Sequence, residues 1–228
     1  MNGQLDPSDY TGMSFWIISA AMVAATFFFW VERDRAVGKW KTSLTVAAMV
    51  TGIAAIHYFY MRGVWASTGE SPLVFRYVDW LLTVPLQIVE FYLILAAIAV
   101  VRSALFWKLL IASVVMLVAG YLGEVGAVHV WAGFVVGMIG WGIIIYEVFM
   151  GEASQINASK GTAASQRAFN ALRLIVTLGW AIYPIGYVVG YTGGGSAEGL
   201  NIIYNLADFI NKIAFGVVIW AAATSDSK

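Results

Sequence analysis

An aspartate and a lysine, Asp208 and Lys212, lie four residues apart inside an apolar segment of the sequence. This segment, residues 201–224, is long enough to cross a bilayer, for which ~20 apolar residues suffice at ~1.5 Å of rise each. At this spacing the two side chains share one face of a helix. Charges at membrane depth are costly and are usually retained for function. Two interpretations stay open: a buried structural ion pair, or a lysine that burial keeps reactive toward an aldehyde.

A second set of charged residues lies in the apolar stretch of residues 75–94. Asp79 and Glu90 are eleven residues apart, which places both carboxyl groups on one helix face, separated by roughly 16 Å along the axis. Thr83 lies between them, and its hydroxyl could donate to a carboxylate one turn away. Arg76 precedes Asp79 by one turn. One helix therefore presents a cation, a carboxylate, a hydroxyl and a second carboxylate in line.

The two acids differ in their expected surroundings. Asp79 has possible cationic neighbours in Arg76 and Lys212, and opposite charge favours its ionised form. Glu90 has only apolar and amide neighbours at helical spacing, so desolvation should keep it protonated. One proton acceptor and one stored proton on a line through a membrane are what a proton relay requires. The alternative is that each carboxylate only pairs with a structural cation.

Histidine and aromatic side chains could complete such a site. His57 is expected at a depth similar to that of Asp79, either as a satisfied core residue or as a hydrogen-bond partner of that carboxylate. Trp180, Tyr183 and Tyr187 recur at spacings of three and four, which makes an aromatic stripe on one helix face. Such stripes are usually core, although they can also hold a long, flat polyene. Further candidates near mid-span are Trp80, Trp141 and Pro184, the last of which is expected to interrupt its helix.

The composition indicates that an integral membrane protein positions these residues. Of the 228 residues, 61% are hydrophobic and 11% are charged, whereas roughly a quarter of the residues in soluble domains are charged. The net charge is zero, which gives no indication of a nucleic-acid partner. No cysteine is present, and two histidines are too few to predict a metal site.

Seven apolar segments with short connections predict an all-α membrane protein, a bundle of seven transmembrane helices formed by residues 1–228 as one domain. The predicted spans are residues 10–30, 40–61, 71–100, 104–122, 128–150, 169–191 and 201–224. A polar stretch, residues 151–168, is predicted to be a flexible loop. Pro85 is expected to kink the third span or to leave the carbonyl of Leu81 unpaired.

The distribution of lysine and arginine predicts the orientation of the bundle. On one predicted side lie Arg33, Arg35, Lys39, Lys41, Arg102, Lys108, Lys160, Arg167, Arg173 and Lys228. The opposite side has only Arg62, because Arg76 and Lys212 fall inside spans. Since basic residues are enriched in cytoplasmic loops, the N-terminus is expected outside and the C-terminus in the cytoplasm.

Four motifs resemble those of the microbial rhodopsins and, within that family, of the blue-absorbing proteorhodopsins. They are HYFYMRGVW in the second span, RYVDWLLTVPLQIVE in the third, GWAIYPIGY in the sixth and LADFINK in the seventh. The resemblance covers all seven spans. It implies all-trans retinal bound covalently to Lys212 as a protonated Schiff base, in a multi-pass protein of the bacterial inner membrane. Gln87 carries the resemblance to the blue-absorbing type.

The resemblance also implies a role for each candidate residue. Asp79 would be the primary counterion and proton acceptor, Asp208 the second counterion and Glu90 the cytoplasmic proton donor. Arg76 would hold the outer end of the cluster, and His57 would pair with Asp79. The implied retinal pocket comprises Trp80, Tyr58, Gln87, Trp141, Trp180, Tyr183, Pro184 and Tyr187.

The triplet Asp79, Thr83 and Glu90 favours a light-driven outward proton pump, a transporter rather than an enzyme. Chloride-pumping relatives replace the first acid, and many sensory relatives lack a carboxylate at the third position. A sensory photoreceptor with the same pigment and a retinal-free seven-helix transporter remain alternatives. The resemblance further implies contact with lipid, assembly into a pentamer or hexamer, and no soluble substrate other than protons.

Overall fold

The computed structural model describes residues 6–227, in which helices are joined by short connections. The helices are α1 (Tyr10–Glu32), α2 (Trp40–Thr68), α3 (Leu73–Ile98), α4 (Ser103–Glu124), α5 (Val130–Phe149), α6 (Glu152–Lys160), α7 (Ala163–Leu174), α8 (Ile182–Tyr191) and α9 (Ala197–Asp226). A 3-10 turn, Arg33–Arg35, continues α1, and a π-helical turn, Ile175–Gly179, joins α7 to α8.

Seven helical segments of the described residues are long and apolar enough to cross a membrane, which confirms the predicted seven-span architecture. α5 runs on into α6 as the fifth span, and α7 and α8 together form the sixth. Successive spans run in opposite directions: the Trp65 indole near the end of α2 donates to Asp9 at the start of α1, and Thr162 donates to Asp226 at the end of α9. The two ends of the bundle are called below the Tyr10 end and the Asp226 end.

The polar stretch of residues 151–168 is largely helical, and the prediction of a flexible loop there is wrong. It holds α6 and the first turn of α7, which Thr162 caps by accepting a hydrogen bond from the Ser165 N–H at 3.0 Å. The Gln166 amide donates to a carbonyl oxygen in the last turn of α6 at 3.2 Å. Polar side chains here hydrogen-bond to the free main-chain groups at helix ends. Composition alone does not distinguish these capping residues from the polar residues of a solvated loop.

Proline and the helix break occur at different places in the sixth span. Pro184 lies in the first turn of α8, where a missing N–H costs no internal hydrogen bond. The interruption that was expected beside Pro184 occurs upstream, in the π-helical turn that ends at Gly179. In the third span, α3 continues as a helix through Pro85.

Glycines on α5 allow this helix and α4 to pack closely. An added Cβ at Gly133 would lie 2.5 Å from the carbonyl oxygen of Ala119, and at Gly140 it would lie 2.8 Å from the carbonyl oxygen of Ala112. Both obstacles are main-chain atoms, which cannot rotate away as a side chain can. Small residues at such positions let helix backbones approach each other in membrane proteins.

We expect Gly133→Ala to destabilise the protein by about 1–3 kcal/mol, because the added methyl group overpacks the contact between α4 and α5. The matched control is Gly142→Ala on the same helix, where an added Cβ meets nothing within 4 Å. There the higher helix propensity of alanine should leave the stability unchanged or slightly raised. Thermal unfolding followed by circular dichroism in detergent measures both variants. Equal Tm values for the two would contradict this account of the contact.

Candidate functional site

The amine of Lys212 lies between two carboxylates in the middle of the bundle. Its Nζ donates to Asp79 Oδ2 at 2.6 Å and to Asp208 Oδ2 at 2.8 Å. All three residues are at most 3% exposed. Buried charges are tolerated only when they are paired and hydrogen-bonded, and this cluster satisfies that condition by joining α3 to α9. The structure thus brings together the charged residues that the sequence placed in two separate spans.

Asp208 is surrounded by hydrogen-bond donors. Its Oδ1 accepts from the Tyr183 hydroxyl at 2.6 Å, and its Oδ2 accepts from the Tyr58 hydroxyl at 2.7 Å as well as from Lys212. The Trp80 indole N–H adds contacts of 3.2 and 3.3 Å to the two oxygens. Donors to a carboxylate favour its charged form and fix its orientation. Both oxygens of Asp208 are therefore satisfied, and the carboxylate is held in one orientation.

Asp79 differs from Asp208 in having one oxygen free. Its Oδ2 is taken by Lys212, whereas its Oδ1 is buried without a hydrogen-bond partner among residues 6–227. His57 lies beside this oxygen, with 3.5 Å between Nδ1 and Oδ1. The shorter contact of that ring nitrogen, 3.0 Å, is to the carbonyl oxygen of Ile53 in its own helix. The asymmetry leaves Asp79 with an open position at which a proton can be received.

Thr83 does not act on the carboxylate of Asp79, contrary to what the sequence predicted. Its hydroxyl donates to the main-chain carbonyl of Asp79 at 2.9 Å. Threonine hydroxyls in helices commonly bond back to the carbonyl four residues earlier, and here that local acceptor is nearer than any side chain. The contact supports the helix beneath Asp79.

Glu90 lies three turns along α3 from Asp79, toward the Asp226 end, and is fully buried. Neither of its carboxyl oxygens has a hydrogen-bond partner in the described part of the chain. The hydroxyl of Ser43, on α2, is the polar group that approaches it, and residue spacing within one helix does not predict this neighbour. Because an ionised carboxylate in such surroundings would be costly, the site favours a carboxylic acid that holds its proton.

Aromatic residues line a cavity that ends next to the charge cluster. Trp80 and Tyr183 belong both to its wall and to the donors around Asp208. Six of the predicted pocket residues line it: Trp80, Trp141, Trp180, Tyr183, Pro184 and Tyr187. Two do not: Tyr58 is engaged with Asp208, and Gln87 places its amide nitrogen 3.4 Å from the Asn211 carbonyl oxygen.

The wall also contains residues that the sequence analysis did not identify as part of a pocket. At the Tyr10 end, Tyr77 donates to the carboxylate of Glu124 at 2.8 Å, and both residues face the cavity. Gly120 and Gly137 also line the cavity, where they present main-chain atoms instead of a side chain. Their residue types are ordinary for membrane helices, so only the packing of α4 and α5 against α3 identifies them.

Arg76 is buried on the side of the cluster nearer the Tyr10 end. Its Nη2 donates to the amide oxygens of Asn201 at 2.8 Å and Asn205 at 2.9 Å. The guanidinium carbon also lies 5.4–6.0 Å from the ring centres of Phe15, Trp80 and Tyr204. The two asparagines were missed from the sequence, although with Asp208 and Lys212 they follow one another at spacings of four, three and four. That pattern alone would have placed them on one face of α9.

Comparison with known proteins gives one consistent result. A family model described as bacteriorhodopsin-like protein matches residues 9–226. The green-light absorbing proteorhodopsin of Gamma-proteobacterium EBAC31A08 is 57% identical over 227 residues, which cover 99% of this chain and 91% of that protein. The crystal structure of a blue light-absorbing proteorhodopsin from Med12 is similar at 59% identity and a TM-score of 0.83, over 96% of this chain and 100% of that one. Xanthorhodopsin, described as a light-driven ion pump with a dual chromophore, is 29% identical with a TM-score of 0.85, over 98% of this chain and 96% of that one.

Proposed function

The chain belongs to the family of bacteriorhodopsin-like proteins, and we propose that it is a light-driven proton pump that moves protons outward across a membrane. The observation that carries this proposal is the pair of unlike carboxylates at Lys212. Asp208 is held as an anion by several donors, whereas Asp79 has a free, buried oxygen. One site thus contains a fixed charge and a separate position for a transferred proton. The pump named in the description of xanthorhodopsin supports the same class of activity.

The residues around the cavity fit retinal. Aromatic side chains make up much of its wall, and Gly120 and Gly137 line it without a side chain, which suits a long planar apolar ligand. Trp80 and Tyr183, which line the cavity, donate to Asp208, a partner of Lys212. Lys212 itself does not line the cavity, but an aldehyde on this side of it would lie near the amine. Bound covalently at Lys212, all-trans retinal would supply light absorption and an isomerisation that redirects the proton on Nζ.

We assign the acceptor role to Asp79. Its Oδ2 already accepts a hydrogen bond from Lys212 Nζ at 2.6 Å, so the proton has a short path between the two atoms. Protonation of Asp208 would require the loss of a bond from Tyr58, Tyr183 or Lys212, whereas protonation of Asp79 requires none. The arrangement therefore directs the proton to α3.

We assign the donor role to Glu90. It lies on the same helix face as Asp79, roughly 16 Å along the axis toward the Asp226 end, and holds its proton in apolar surroundings. A proton that leaves Lys212 toward Asp79 is then replaced from the opposite direction. Directionality follows because the acceptor contacts the amine directly, whereas the donor lies three turns of α3 away, toward the Asp226 end.

The remaining assignments concern the setting of this site. The excess of lysine and arginine at the Asp226 end supports a cytoplasmic C-terminus and an external N-terminus. We place the chain, as a single domain, in the bacterial inner membrane, in keeping with its gamma-proteobacterial relative. We further propose that it assembles as a pentamer or hexamer. Gln87 supports absorption of blue light.

Light-driven acidification of the medium tests the proposed function. Cells that express the protein and are supplied with retinal should acidify an unbuffered suspension on illumination, and a protonophore should abolish the signal. A visible absorption band without any protonophore-sensitive flux would refute the pump and favour the sensory photoreceptor. Absence of the band itself would refute the pigment.

We expect Glu90→Gln to slow reprotonation of the Lys212 nitrogen about 100-fold at neutral pH, because the internal acid is lost. The rate should then fall about tenfold for each unit by which the pH of the medium rises, since the proton must come from solution. The wavelength of the band should change little, because Glu90 is three helix turns from Asp79. Flash photolysis measures both quantities, with the exposed Glu198→Gln as the control. An unchanged rate in Glu90→Gln would reject the donor assignment.

A further inference from the structure

The guanidinium of Arg76 is held by two neutral amides rather than by a carboxylate. Its Nη2 donates to Asn201 and Asn205, and its Nη1 lies 3.5 Å from the Tyr58 hydroxyl. Its Nε is buried without a partner among residues 6–227, and within the same range Arg76 forms no ion pair. Buried arginines are normally paired with a carboxylate. A buried arginine held away from two nearby carboxylates indicates that its position is controlled.

The orientation of both amides is fixed by what their nitrogen atoms donate to. The Nδ2 of Asn205 donates to the Ser14 hydroxyl at 2.9 Å, and the Nδ2 of Asn201 donates to the Ala197 carbonyl at 2.8 Å. A flipped amide would lose that bond and turn an N–H toward a cation. Both oxygens therefore face Arg76, and that of Asn201 also accepts from the Ser71 hydroxyl at 3.2 Å. We call Asn201, Asn205 and Ser14 the amide clamp.

The carboxylate that Arg76 would reach without the clamp is Asp79. Asp208 is surrounded by donors, whereas Asp79 Oδ1 is buried and has no hydrogen-bond partner in the described chain. A guanidinium released from the amides would gain most by occupying that oxygen, because hydrogen bonds between charged groups are the stronger ones. Such a pair would hold Asp79 as a carboxylate and oppose its protonation.

We infer that Asn201 and Asn205 are positioning residues that keep the Arg76 guanidinium away from Asp79, so that Asp79 stays free to accept the proton. Because the amides are neutral, their hold on Arg76 does not depend on whether Asp79 is charged. The inference rests on the proposed function, since it concerns the acceptor of that reaction. It adds a role for two residues that neither hydrogen-bond to Lys212 nor line the cavity.

The test is a pH titration of the visible band in the full-length protein supplied with retinal, because protonation of Asp79 changes the charge beside the chromophore. The charged and titratable groups that face Asp79 are Lys212 and Asp208 on α9, His57 and Tyr58 on α2, and Arg76 on its own helix. Replacing both clamp asparagines in Asn201→Leu/Asn205→Leu should lower the titration midpoint by about 1 pH unit or more, as expected for a new cation at hydrogen-bond distance. Each single variant should shift it less, since the other amide still accepts.

The Arg76→Gln background separates positioning from a general structural effect. There the double leucine substitution should shift the midpoint no further, because no guanidinium remains to move. Asn205→Asp is a second variant of nearly unchanged size, which should raise the midpoint, because it anchors Arg76 with a charge and adds a negative charge near Asp79. In the double variant Asn201→Leu/Asn205→Gln an amide is again present at position 205. Its titration midpoint should therefore return most of the way from the double leucine value to the wild-type value.

Three results would overturn the inference. The first is an unchanged titration midpoint in the double leucine variant. The second is a midpoint shift by the double leucine substitution that is equally large in the Arg76→Gln background. The third is a midpoint that falls in Asn205→Asp, as it does in the double leucine variant. Absence of a visible band from the wild-type protein would instead refute the proposed function. The two failures are therefore distinguishable in one set of spectra.

Discussion

Lys212→Ala is expected to yield a protein that forms no visible absorption band when retinal is added. Under the proposed function, the Lys212 amine is the group with which the aldehyde condenses, so its loss removes the attachment point. The substitution also leaves Asp79 and Asp208 buried together without their cation, which should cost about 3–5 kcal/mol of stability. Absorption spectroscopy of the purified protein after titration with retinal measures the effect.

Two further variants separate loss of attachment from loss of fold. Lys212→Ala combined with Asp79→Asn removes one positive and one negative charge, so it should recover stability in circular dichroism and remain colourless. Lys160→Ala, at the exposed end of α6, removes a lysine elsewhere and should retain the full band. A visible band in either Lys212 variant would mean that another residue binds the chromophore.

Asp79→Asn is expected to reduce light-driven proton flux at least about 100-fold while the pigment still forms. The amide can accept a hydrogen bond from Lys212 but cannot take its proton, which removes the transfer itself. The band should also move to longer wavelength, because a negative charge that stabilises the cationic end of the chromophore in the ground state has been removed. Flux in illuminated cells and the absorption spectrum are the two measurements.

The matched control for Asp79→Asn is Asp34→Asn, which makes the same substitution in a side chain that is 83% exposed and 3.9 Å from Lys41. It should leave both flux and colour unchanged. If Asp79→Asn pumped at the wild-type rate, the acceptor would have to be another carboxylate, and Asp208 is the one in contact with Lys212. Asp208→Asn would then be the variant that abolishes flux.

The features most easily predicted from the sequence were those that depend on one helix at a time. The apolar runs located the seven spans, and a spacing of four placed Asp208 and Lys212 on one face of α9. The resemblance added the proximity of α3, which periodicity cannot supply. Contact between Lys212 and Asp79 is a relation between two helices, and it appears only once they are packed.

The direction of individual hydrogen bonds could not be predicted from periodicity. Thr83 has both a carboxylate and a carbonyl of Asp79 within reach along the helix, and the nearer main-chain acceptor takes its hydroxyl. Tyr58 was assigned to the pocket wall, yet its hydroxyl donates to Asp208 on the adjacent helix α9. In each case the outcome depends on competing partners, some of them supplied by other helices, and a single sequence does not record that competition.

The two asparagines are a second case in which a contact between helices could not be predicted from one helix. Asn201 and Asn205 have no charge to mark them as unusual in a membrane span. Only Asp208 and Lys212 were therefore predicted as functional residues on this face of the helix. Their importance depends on Arg76, which reaches them from α3. Polar residues that continue the spacing of a candidate functional pair on one helix are therefore candidates for the same site.

One helix, α9, carries the two clamp asparagines, Asp208 and Lys212 on a single face, while α3 carries Arg76 and Asp79. A sliding or swinging of α9 as a rigid body therefore displaces four of these groups together and preserves the distances among them. Only the offset between α9 and α3, which meet through their side chains, is left as an adjustable coordinate. A displacement of about an ångström along that coordinate would alter every side-chain contact between α3 and α9 at once.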